Sequence, residues 1–249
     1  MARKKTADNR RDRGTPGTVR RLARFAAWST LVLAFAFVAY ELSFLARIAW
    51  WRTHDPSSTA FMDERLDRLR EKTPSARLKQ QWVPYARISN HLKRAVVAAE
   101  DAKFADHEGF DWEAMQKAWE RNQKRGKVVA GGSTISQQLA KNLFLSGSRT
   151  PWRKAQEAVI TVMLEGVMDK RRILEIYLNV IEWGDGVFGA EAASRHYFGI
   201  GAGALTPGQA ARLAAMVPNP RFYDRNRNAP WLEKKTDILL GRMDSAELP

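Results

Sequence analysis

Cysteine is absent from the 249 residues. Disulfides, thiolate metal sites and cysteine nucleophiles are thereby excluded. The lack suits an oxidising compartment without requiring one. Also missing are any internal repeat, any phosphate-loop glycine spacing and any evident chelating cluster. Global disorder is excluded by a hydrophobic fraction of 45%. The length allows one ordinary domain with appendages and a real core.

Charge of one sign dominates, and its distribution is uneven. The formal net charge is +14, and residues 1–24 carry nine Lys/Arg against two Asp, or +7. Half of the excess therefore sits in a short tail. Next comes the uncharged run FAAWSTLVLAFAFVAY (25–40), and apolar character resumes after Glu41. Extended toward Leu45, this reaches the ~20 residues that a membrane helix needs. Tyr40, Trp50 and Trp51 suit an aromatic belt. The segment exceeds a signal-peptide core, and no small-residue cleavage site follows it. An uncleaved anchor over 25–50 is the expectation, with a cytoplasmic tail at 1–24 by the positive-inside rule. The tail then reads as a topology signal, and no nucleic-acid partner is expected.

After a linker and membrane-proximal segment at 51–80, residues 81–249 form the expected domain. Phe61, Met62, Leu66 and Leu69 share a helical face, and the apolar surface around Phe61 and Met62 is expected to dip into the bilayer. From residue 89 the periodicity is almost entirely helical. One predicted helix runs from Ser89 or Asn90 to near Gly109. Asp111 caps another, with Trp112, Met115 and Trp119 inward. Ser133 or Thr134 caps a third. Pro151 starts one carrying Ala155, Val159, Val162, Met163 and Val167. Another begins near Lys170, with Ile173, Leu174, Tyr177 and Leu178 buried. Thr206-Pro207 opens a last one that Pro218 stops. KVVAGG (127–132) is a candidate short strand.

Four clusters can hold chemistry. Glu100 follows the apolar run 95–99, and burial there would raise its pKa and make it a better base; an amphipathic helix with an acidic face explains it equally. Gly131-Gly132-Ser133-Thr134 leads into Gln137, Gln138, Lys141 and Asn142. A glycine loop feeding a helix N-terminus can cradle a phosphate, or Thr134 can simply cap the helix. Arg149, Arg153, Lys154 and Glu157 form an i, i+4 ladder that a surface helix would also show. Lys170, Ile173, Leu174, Tyr177 and Asn179 are mostly core in pattern.

Together these stretches read EDxxFxxHxGxD, GGSTIxQQLxKN, RKxxE and KxxILExYLN, followed by glycines from Gly184 and a Tyr197-Phe198 pair. In this order they resemble the glycosyltransferase family 51 domain over about residues 80–220. Gln209 stands where that family commonly has Glu. The resemblance implies a mainly α, lysozyme-like domain that polymerises lipid II on a growing polyprenyl-diphosphate glycan, with inversion. It implies Glu100 as general base and Glu157 as the second catalytic glutamate, orienting cationic groups and sugars. Asp101, Phe104, Ser133, Thr134, Gln137, Gln138, Lys141, Asn142, Arg149, Arg153, Lys154, Lys170 and Asn179 become candidate substrate contacts. No cofactor is implied, although a divalent cation could ride on the substrate diphosphate. Expected partners are the bilayer and other cell-wall synthesis or division proteins; the expected location is the bacterial inner membrane, with the domain periplasmic. The absence of Ser-x-x-Lys and Lys-Thr-Gly pairs, with the compact ending near residue 249, resembles the monofunctional branch. The alternative is a lysozyme-like glycan hydrolase.

Overall fold

A 36-residue helix, α1 (Pro16–Trp51), opens the computed structural model, which describes residues 16–127, 129, 131–145, 147–148 and 150–249. Outside the described residues lie 1–15 of the basic tail, Arg149, and Val128 and Ala130 of the candidate strand. Over Gly17–Trp51, α1 is long and apolar enough to cross a membrane. The chain divides into two units, Met1–Phe44 and Leu45–Pro249.

The second unit begins with the last turns of α1. Ile48 there is fully buried, the Arg47 guanidinium lies over the Phe144 ring at 4.7 Å, and the Trp51 ring is 5.2 Å from Phe144. Arg172 holds the outgoing backbone, donating to the carbonyls of Trp51 (2.9 Å) and His54 (2.6 Å).

The unit is mainly helical: α2 (Ala60–Arg70), α3 (Asn90–Glu100), α4 (Trp112–Arg125), α5 (Ile135–Phe144), α6 (Pro151–Val167), α7 (Lys170–Val180), α8 (Ala190–Phe198), α9 (Pro207–Met216), α10 (Pro220–Arg225) and α11 (Pro230–Leu240). Several starts have a local cause. Thr59, Asp111, Thr134, Thr150, Asp169 and Thr206 each accept a backbone N–H of the first turn, which stabilises a helix by ~1 kcal/mol. Three short strands, β1 (Lys79–Gln80), β2 (Glu182–Gly184) and β3 (Val187–Phe188), form a sheet in the order β1-β3-β2. β3 runs parallel to β1 and antiparallel to β2.

The core lies between two helix groups. α3 packs on α9 and α11, and α5 packs on α6 and α7. Ala95 of α3 and Ala211, Ala214 and Ala215 of α9 are fully buried; small side chains let the two backbones approach closely. Leu92, Val96, Leu139, Ile173, Leu174 and Leu178 fill the interior, each contributing ~1.5–3 kcal/mol on burial.

Several expectations are corrected. The helix from Asn90 stops at Glu100 rather than near Gly109, and Asp101, with ψ 75°, turns the chain away. Trp112 and Trp119 are exposed, because α4 buries only Ala118 among its described residues. α6 is turned the other way round: Val159 and Val162 face outward, while Gln156, Glu157, Ile160, Thr161 and Leu164 are buried. Met62 does not reach toward lipid; it is 3% exposed, and the neighbouring Phe61 ring sits against Phe188. Two further helices, α10 and α11, follow the one stopped near Pro218.

Asn179 ties the sheet side to α7. Its Oδ1 accepts from Val83 N and its Nδ2 donates to Val83 O, both at 2.9 Å, so the side chain stands in for a strand partner. The close fit continues at Gly189, where φ is +81° and a Cβ would lie 2.7 Å from the Asn179 carbonyl oxygen. We expect Asn179→Ala to destabilise the domain by on the order of 3 kcal/mol, since two buried backbone groups lose their partner. Urea unfolding checks this: the midpoint should fall with the slope unchanged.

Candidate functional site

Glu100 is the last residue of α3 and retains partial access to solvent. Burial is the largest influence on its carboxyl and raises its pKa; Asp101 adds to this. Opposing it are the hydrogen bond from Gln138 and, at longer range, the charges of Lys235 and Lys141. Gln138 Nε2 donates to Glu100 Oε2 at 2.9 Å. A carboxylate held this way is a base that is stronger than an exposed glutamate.

The cations stand on the next two helices. Lys141 lies on α5, three residues beyond Gln138. Its own pKa is lowered, first by burial and then by Arg153 and Lys154, against the opposing pull of Glu157 and Glu100. On α6, Glu157 is 3% exposed and binds Arg153 at 2.6 Å and Lys154 closely. Lys154 also reaches Ser133 Oγ at 3.4 Å. Arg153 Nε is buried without a hydrogen-bond partner among the described residues. Glu157 thus fixes two cations that exceed its own charge, and one guanidinium N–H is left to serve another acceptor.

Gln138, Lys141, Asn142, Arg153 and Tyr177 also line a cavity of about 440 Å³, whose lining includes Arg65 and Arg221, both paired with Glu182, and Arg68, paired with Glu64. A ligand there meets the charges of Lys141 and Arg153, and Glu100 is bound to the lining residue Gln138. The arrangement can deprotonate a hydroxyl and stabilise an anionic group close by.

Other residues expected at the substrate are engaged within the fold. Thr134 and Gln137 form a capping box at the start of α5 and are almost fully buried. Asp101 accepts from His107 Nε2 (2.9 Å) and Ile135 N (2.9 Å), so it anchors α5 against the end of α3. His107 Nδ1 accepts from Gly109 N at 3.1 Å, which orients the ring so that Nε2 faces Asp101. Phe104 is fully buried. Lys170 binds Glu165 at 2.7 Å and lies over the Phe104 ring. Asn179 clamps Val83. Asn142 is 7% exposed and donates to the Gln138 carbonyl, but it keeps an edge on the cavity. Arg149 lies outside the described residues.

Sequence reasoning missed two residues. Lys235, on α11, carries charge toward Glu100 and donates to the Ala215 carbonyl at 3.3 Å; nothing local distinguishes it from Lys234. Tyr177 was assigned to the core. Its signal was available, because a buried tyrosine hydroxyl needs a partner.

The profile of a family described as Transglycosylase matches residues 67–244. The biosynthetic peptidoglycan transglycosylase of Nitrosospira multiformis is 62% identical over 229 residues, covering 90% of this chain and 99% of the relative. That of Chromobacterium violaceum is 63% identical over 217 residues, covering 87% and 95%. That of Laribacter hongkongensis is 63% identical over 213 residues, covering 86% and 93%.

A reaction that uses Glu100 as base and Lys141 as cation should have a narrowed pH range. Glu100 works deprotonated, and its raised pKa means that activity falls with decreasing pH before the ordinary glutamate value of about 4.3 is reached. Lys141 works protonated, and its lowered pKa means that activity falls with rising pH below the ordinary lysine value of about 10.4. Turnover measured across pH checks both limbs. Replacing Lys141 by Arg should move only the alkaline one outward.

Proposed function

The chain belongs to the transglycosylase family, and from that premise we propose that Glu100 and the neighbouring cations carry out peptidoglycan glycosyl transfer. The protein is a peptidoglycan glycosyltransferase that polymerises lipid II into glycan strands. The observation that carries the assignment of roles is the half-buried Glu100, held by Gln138 beside the group Lys141, Arg153 and Lys154.

On this reading Glu100 takes the proton from the acceptor's 4-hydroxyl. The oxygen attacks the donor's anomeric carbon from the face opposite the leaving group. The bond to polyprenyl diphosphate breaks, and its electron pair leaves with the diphosphate, so the new linkage is inverted. Negative charge accumulates on that diphosphate, and Lys141, Arg153 and Lys154 are fixed where they can stabilise it. Ser133 and the unpartnered Arg153 Nε can add hydrogen bonds. Glu157 orients the cations, and no strong acid is required, since diphosphate is a good leaving group. The reaction needs no resident cofactor; a divalent cation would arrive with the diphosphate.

The hydrolase alternative is not favoured, because a water nucleophile and an alkoxide leaving group would give the cation cluster no task. The helix over Gly17–Trp51 provides a single-pass anchor. Its basic flank supports a cytoplasmic N-terminus and a periplasmic domain at the inner membrane. Other cell-wall synthesis or division proteins are the proposed partners of the anchored enzyme.

Detergent-solubilised protein given lipid II should make long glycan. Glu100→Gln should slow this by roughly 10²–10⁴-fold, the usual contribution of a general base. Full activity in that variant would reject the base, and shortening of existing glycan without polymer would reject the reaction class. A chelator arm tests the cation. For topology, protease added to spheroplasts should digest the domain and spare the tail.

A further inference from the structure

Tyr177 is fully buried on α7, and its hydroxyl is 2.9 Å from Gln138 Oε1. On the other side of the same amide, Nε2 lies 2.9 Å from Glu100 Oε2 and 3.4 Å from the Ser133 carbonyl oxygen. Two of these neighbours, the Glu100 carboxylate and the Ser133 carbonyl, determine which way the amide points. The carboxylate and the carbonyl can only accept, so the NH₂ must face them. The amide oxygen must then face Tyr177, which must donate. Turning the amide over would set its oxygen against two acceptors; the phenol, which can donate or accept, holds the correctly turned amide in place by donating to its oxygen.

We propose that Tyr177 is a positioning residue for the Glu100 base, acting through Gln138: its hydroxyl anchors the amide oxygen and so holds the N–H at the carboxylate. This rests on Glu100 being the base. The relay joins α7, α5 and α3, so three helices fix one proton acceptor. Burial holds the Tyr177 hydroxyl well above its usual pKa, with Glu100 and Asp101 adding to the effect. It therefore remains a donor at every pH at which the enzyme works. Burial is the largest influence on Glu100, and the Gln138 bond is the first of those that oppose it, so the relay contributes to the pH at which the base becomes available.

Other charged groups around Glu100 are few. Asp101 follows it on the chain and is bound to His107 and Ile135. Lys141 faces it from α5 and Lys235 from α11. On α9, Ala211, Ala214 and Ala215 are buried, and Arg212 is turned to the Arg227 carbonyl. The C-terminal turn Met243–Ser245 meets α3 through Arg94, which donates to the carbonyls of Asp244 and Ala246.

The test is the pH profile of lipid II polymerisation by the full-length protein, Tyr177→Phe against wild type. Losing the hydroxyl frees the amide, weakens the bond to Glu100 and raises the pH needed to ionise it. We expect the acidic limb to move up by about one pH unit, a tenfold loss below the limb that fades above it. KM for lipid II should stay within about twofold, because Tyr177 borders the cavity but is fully buried, and its hydroxyl is turned to Gln138. Gln138→Ala should move the same limb, and the double variant should move it no further. A uniform loss across pH with an unmoved limb would mean that Tyr177 only packs, and would overturn the proposal. If Tyr177→Phe does not fold, Gln138→Ala decides: an unmoved limb overturns it equally. Glu100→Gln, run alongside, separates the two readings. If it stays active, the base assignment fails; if it is inactive while both relay variants leave the limb unmoved, only the relay fails.

Discussion

A carboxylate at the closed end of a helix loses hydration, and what Glu100 receives at contact distance, among the described residues, is one amide N–H from Gln138. Two lysines act on it only from further away. The balance is consequential. Burial alone would raise its pKa further and narrow the range of pH over which it can accept a proton. A directly bound cation would leave it ionised but weakly basic. A neutral donor stabilises the charged form modestly and preserves basicity. The rest of the second unit can be seen as the framework that holds this donor in place. The capping box at Thr134 fixes where α5 starts, Asp101 ties that start to the end of α3, and Tyr177 anchors the amide.

The cation cluster obeys a related constraint. Lys141, Arg153 and Lys154 repel one another, and Lys141 is partly desolvated as well. Glu157 relieves the repulsion by holding Arg153 and Lys154, yet the group keeps a positive excess. A diphosphate would complete it. α6 accordingly buries Glu157 on the same face as Ile160 and Leu164 and turns Val159 and Val162 outward.

Much of the architecture was legible in the residues. Helical periodicity, the caps at Asp111, Thr134 and Thr206, and the buried stripe of α7 are local signals, and all are present in the structure. The candidate site was legible in part. Motif order pointed to Glu100, Gln138, Lys141, Arg153, Lys154 and Glu157, and the fold gathers these around one cavity or its immediate wall. It could not separate them from Asp101, Phe104, Thr134, Gln137, Lys170 and Asn179, which stand in the same motifs but point into the protein. A motif records that a residue type is needed at a position, and a polar side chain that clamps a backbone is needed as much as one that meets substrate.

By itself, the sequence determined the apolar span with its basic flank, the helical class of the domain and the stock of bases and cations. These depend on composition and short-range spacing, which act before the chain folds. Only the tertiary structure decided which polar groups face the cavity, because that depends on how each helix is rotated against its neighbours. It also brought Lys235 from α11 toward Glu100, and placed the Tyr177 hydroxyl behind Gln138. Those pairings join residues 39 to 135 positions apart, and no local pattern encodes a contact at that distance.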